Sequence, residues 1–75
     1  MIIMETQPDK FFKVHYRILD DNNQLIRKEV HRVRGPVMPN PSSLVMVHPE
    51  RVAIRGIEEI DEEEFNTMPD SQVVE

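Results

Sequence analysis

Of the chain's three histidines, His15 and His31, together with the carboxylate of Glu29, are the residues best suited to hold a metal ion. Imidazole and carboxylate donors bind zinc-class ions when three or four of them converge. On a strand period of two, His15 and His31 become diagonal neighbours on the outer face of a hairpin, with Glu29 beside His15. Lys13, Arg17 and Arg27 surround that group, and their charge opposes a divalent cation. None of the three histidines lies in a compact motif such as His-x3-His. The expectation is therefore ordinary surface histidines, no resident metal and no cofactor.

Catalytic constellations are equally sparse. Ser42, Ser43 and Ser71 are the only serines, and none sits in a nucleophile-elbow context. Gly35 and Gly56 are the only glycines, too few for a phosphate-cradling loop. Carboxylates abound near the C-terminus, but acid/base catalysis needs two of them in different environments. A solvated run gives all of them the same one, so the reading is of a non-enzymatic protein. With no cysteine, thiolate chemistry and disulfide staples are excluded.

Charge is the most informative property. The chain has a net charge of −5, yet residues 10–34 carry seven lysines and arginines against three acids. Residues 57–75 carry eight acids and no base. Such asymmetry marks a basic binding surface, an acidic interaction segment, or a tail that neutralises its own domain.

The elements that must position these charges can be read from periodicity. Phe12, Val14, Tyr16 and Ile18 alternate with Lys13, His15, Arg17 and Leu19, the pattern of a half-buried strand. Asp20, Asp21, Asn22 and Asn23 are turn residues, and a three-residue loop with Asn23 in the left-handed region closes a hairpin with residues 24–34. That loop sets Ile18 opposite Ile26, Val14 opposite Val30 and Tyr16 opposite Lys28, which gathers the apolar residues on one face. A slip of one residue would set Val14 and Tyr16 against His31 and Glu29, a poorer match. Arg17 then faces Arg27 on the outer side, a like-charge pair that calls for an anionic partner. Ile26, Val30 and Val33 also fit a helical stripe ending at Gly35 and Pro36, so residues 24–34 as a helix in an α+β fold is the alternative.

Four of the six prolines fall in residues 36–49 and make a stiff crossover. Its Pro36 and Pro39 have the PxxP spacing of a polyproline ligand, but a rigid connection within the domain is the preferred reading. Residues 44–47 are expected to pair with residues 52–57 as a second hairpin, with a helix starting at Pro49 as the competing reading. Sixteen isoleucines and valines against three leucines and one alanine support strands. The fold expected is mainly β: a small antiparallel sheet of two hairpins with a proline-rich crossover and a short C-terminal helix or acidic tail. Its expected core is Val14, Ile18, Ile26, Val30, Val52 and Ile54. Residues 1–9 read as a flexible N-terminus, residues 10–60 as one small β-rich domain, and residues 61–75 as an acidic, partly disordered tail.

A chain of 75 residues buries only about 60% of the surface its unfolded form exposes, so partner binding or self-association is expected. The start of the chain lacks the apolar run of a signal peptide or a spanning helix, which reads as a cytoplasmic protein without membrane contact. The function expected is that of an accessory factor or inhibitor, of the kind phages and mobile elements encode, that binds another protein. Its contact residues are Lys13, His15, Arg17, Arg27, Lys28, His31 and Arg32 on the basic side and Glu58, Glu59, Glu62 and Glu63 on the acidic side. The acidic run also reads as a phosphate-backbone mimic, or as a solubilising segment lying on the chain's own basic stripe. A nucleic-acid-binding β-ribbon is one alternative, opposed by the net charge and the lack of outward aromatic residues. A structural subunit stable as an oligomer, such as a homodimer, is the other.

Overall fold

The computed structural model describes residues 9–74. The strands are β1 (Lys10–Leu19), β2 (Leu25–Gly35), β3 (Arg51–Ile60) and β4 (Ser71–Val74), and the helices are α1 (Pro41–Val47) and α2 (Glu62–Thr67). The strands form one antiparallel sheet in the order β3-β1-β2-β4. The chain is thus a small, mainly β domain with short helices. Residues 24–34 are extended, not helical. Among the described residues no helix is long and apolar enough to cross a membrane.

The first hairpin closes as its turn chemistry dictates. Asp20 Oδ1 accepts from the amides of Asn22 and Gln24 at 2.8 and 2.9 Å, and Asn23 takes φ 63°, a region its short polar side chain tolerates. Leu19 then pairs with Leu25, the register that the turn sets. Immediately beyond, Ile18 pairs with Arg27 and Ile26 is left over as a bulge. Every later pair is displaced by one: Val14 faces His31, His15 faces Val30, Tyr16 faces Glu29 and Arg17 faces Lys28. The expected pairs of Ile18 with Ile26, Val14 with Val30, Tyr16 with Lys28 and Arg17 with Arg27 are all corrected by that bulge, because one extra residue exchanges the two faces of a strand.

The displaced register works because a helix packs on part of each face of the sheet. On one side lies α1, whose Leu44 packs with Val33, Ile54 and Ile57 against the buried cluster of Val14, Tyr16, Ile18 and Val52. On the other lies α2, whose Phe65 stacks on Phe11 with ring centroids 4.8 Å apart. Val30 is buried on this second side, between His15 of β1 and Gln72 of β4. The expected core holds at Val14, Ile18, Val30 and Val52. Ile54 is partly buried, and the bulged Ile26 is 55% exposed.

The remaining differences lie after Gly35. Residues 44–47 are helical and do not pair with β3, because Asn40 caps the first turn, accepting from Ser42 N at 2.9 Å, and Pro41 enters at a position that needs no amide proton. The partner of β3 is β1. Asp61 likewise caps α2, accepting from Glu64 N at 2.7 Å, and Glu62, Glu63 and Glu64 sit where the helix dipole favours negative charge. Residues 61–74, read from sequence as a short helix or an acidic tail, form a helix and then a fourth strand beside β2. The N-terminal residues 1–8, read as flexible, lie outside the described residues.

Candidate functional site

Because β2 is displaced by one residue, the basic residues expected on a single stripe are divided between two faces. Arg27 and His31 lie on the α1 side, where Glu29 binds both of them. Its Oε1 is 2.8 Å from His31 Nε2, and its Oε2 accepts from Arg27, whose other nitrogen reaches Glu50. The His31 hydrogen bond and then the Arg27 guanidinium hold the Glu29 carboxyl below its usual value. The His31 and His48 rings pack at a tilt against Tyr16, with centroids 4.5 and 5.5 Å away, and burial pushes the Tyr16 phenol up. Glu59 is on this side as well, across from Phe12 at an exposed position.

The lowered Glu29 carboxyl has a consequence for acid stability. A group more acidic when folded stabilises the fold above the unfolded value of 4.5, and that contribution disappears as pH falls through the lowered folded value. Glu29→Gln should therefore flatten the acid limb of a stability-versus-pH curve below about pH 4.5, read from chemical denaturation midpoints. An unchanged limb would show that the carboxylate contributes nothing there.

On the α2 side the remaining candidates fall into two groups. At the end covered by α2, Lys13 meets Glu58 at 3.5 Å and Glu64 at 3.2 Å, and the Glu64 hydrogen bond raises the Lys13 ammonium above its ordinary value. His15 contacts Glu58 at 3.1 Å. Arg32 pairs with Asp70 at 2.9 Å, donates to the Phe65 carbonyl at 2.8 Å, and lies 4.7 Å from the Phe65 ring centroid. Arg34 pairs with Asp9. This half of the basic face is thus neutralised by the chain's own carboxylates. Glu62 and Glu63 in the first turn of α2 remain exposed.

The other half, towards the hairpin turn, is different. Arg17 and Lys28 are direct cross-strand neighbours, and Arg55 joins them around a concavity of about 130 Å³ that His15, Tyr16, Glu29 and Val74 also line. Among the described residues no carboxylate lies within ion-pair distance of Arg17, Lys28 or Arg55. Like charges set directly opposite each other are destabilising, so the fold holds this group against a small electrostatic cost. Arg55 has its place through a second bulge: His15 pairs with Gly56 and Tyr16 with Ile54, which leaves Arg55 as the extra residue. Its neighbour Gly56 has no side chain to obstruct a second recess, formed by His15, Arg55, Gly56 and Glu58.

Of the eleven residues expected at a partner surface, the structure brings Arg17 and Lys28 together in an open group, with His15 at its border. Lys13, Arg32 and Glu58 are engaged with neighbours, and Arg27 and His31 face the opposite side. Sequence reasoning missed Arg55. The signal was Gly56 inside an apolar strand, since a glycine there often marks a bulge. Compared with protein-family models, with curated proteins and with solved structures, the chain has no match.

Proposed function

We propose that the chain is a non-enzymatic, cytoplasmic binding protein that captures another protein through an acidic surface, using Arg17, Lys28 and Arg55. One contrast carries this reading. Lys13, Arg32 and Arg34 at the α2-covered end of the face each have a carboxylate partner, whereas these three cations at the open end have none among the described residues. A cluster of like charges on an open face steers encounter and fixes orientation, and an acidic partner removes its repulsion. The acidic α2 segment covers the adjoining end, so the open cations are framed by negative charge that disfavours a long polyanion continuing across the face. An accessory or inhibitory role follows from capture of this kind.

The test is affinity enrichment from the native host with the full-length chain and with the Arg17→Ser, Lys28→Ser, Arg55→Ser variant, each with and without nuclease. A protein retained by the wild type after nuclease treatment and lost by the triple variant is the expected result. Capture that disappears with nuclease would assign the cations to nucleic acid instead, and capture unaffected by the triple variant would place the partner surface elsewhere.

A further inference from the structure

On the opposite face, under α1, three potential donors converge that the sequence does not place together. Glu29 and His31 are two residues apart on β2 and so share a side, while His48, the C-cap of α1, comes down from above. One ligand atom from each of the three lies within 4.8 Å of the others. We propose that Glu29, His31 and His48 bind one divalent transition-metal ion of the zinc class.

Tetrahedral zinc with bonds of about 2.0 to 2.1 Å places neighbouring donor atoms about 3.3 Å apart. The pair already at 2.8 Å therefore has to open slightly, and the donors further apart have to close by no more than about 1.5 Å. The site is also partly built in its surroundings. Tyr16, the cross-strand neighbour of Glu29, packs against both imidazoles with its ring tilted to each. Arg27 holds the second oxygen of Glu29 and orients the carboxylate, as outer partners of metal ligands commonly do. Glu50 on the far side of Arg27 balances that guanidinium, so Glu29, Arg27 and Glu50 together present a net negative charge to the incoming cation.

Two imidazoles and one carboxylate suit zinc, nickel or copper and not the oxygen-preferring magnesium or calcium. A fourth position remains for water. Binding has two identifiable costs: His31 gives up the Nε2–H hydrogen bond to the acceptor-only Glu29 carboxylate, its proton moving to Nδ1, and His48 gives up one of its own. His48 Nδ1 accepts from Glu50 N at 3.1 Å, which puts the proton of the neutral ring on Nε2. Coordination through Nε2 moves that proton to Nδ1 and gives up this exposed hydrogen bond. The return is a cross-link from the end of α1 to β2, and α1 is otherwise a seven-residue helix held to the core through Leu44. Small domains commonly gain stability from such a staple.

The experiment uses the untagged full-length chain and zinc alone, with magnesium as a control. One zinc per chain by calorimetry is expected, with a melting temperature raised by about 10 to 20 °C at zinc concentrations about 100-fold above Kd. His48→Ala and His31→Ala should each weaken binding at least about tenfold, while His15→Ala, on the other face, should leave it unchanged. Ring resonances of His31 and His48, but not His15, should shift on zinc addition in the wild-type chain, a readout that does not require any variant to fold. No zinc heat and no shift of melting temperature would overturn the proposal, as would retained affinity in His48→Ala or a response confined to His15.

Discussion

Phe12→Ala is expected to cost about 3 to 5 kcal/mol and Ile18→Ala about 2 to 5 kcal/mol, either of which removes much of the stability available to a domain of this size. Phe12 is 1% exposed and Ile18 is fully buried, and both lie on β1, which carries four of the six buried apolar residues among those described. As an inner strand paired on both sides, β1 gives the surroundings little room to collapse into a cavity. The same truncation at Ile26 should cost less than about 1 kcal/mol, because the bulge turns this side chain out to solvent. Urea denaturation of the three variants decides the matter. A cost at Ile26 equal to that at Ile18 would mean that the strands pair without the bulge, with Ile18 against Ile26.

The second large effect is on binding. Replacing Arg17, Lys28 and Arg55 with serine should weaken partner affinity by about 10- to 100-fold at low salt, with the difference shrinking as ionic strength rises. The fold should be unaffected or slightly more stable, because the change removes a like-charge pair and no ion pair among the described residues. Arg27 gives the informative contrast. Although it precedes Lys28 in sequence, it joins Glu29 and Glu50 on the other face, so Arg27→Ser should lower stability and leave partner affinity unchanged.

The turn and the first strand were legible in the sequence because each rests on local chemistry. Asp20 and Asn23 specify the loop, and the alternation from Phe12 to Ile18 identifies the buried face whatever the partner strand does. The pairing of β2 was not legible. Matching apolar to apolar presumes a sheet with one covered face, and here α1 packs on part of one face and α2 on part of the other. Val30 finds burial on the second face, and the polar residues that replace it under α1, Arg27, Glu29 and His31, satisfy one another. The first helix was hidden for a related reason. The residues of α1, Leu44 to Val47, form a run short enough to suit either state, and only the Asn40 cap with Pro41 decides it. The site shared the fate of the register. Charge counting found Arg17 and Lys28, but Arg55 enters through a bulge and His48 through the end of a helix, and neither placement has a periodicity to reveal it.

The central claim is that the open cations, and not the paired ones, are what the partner meets. The most direct measurement is amide and side-chain NMR of the full-length chain titrated with the captured partner. Shifts and line broadening concentrated at Arg17, Lys28, Arg55 and the neighbouring His15, with Lys13 and Arg32 little changed, are the predicted result. Perturbations centred on α1 or on the Glu62–Glu63 turn of α2, with Arg17, Lys28 and Arg55 silent, would contradict it.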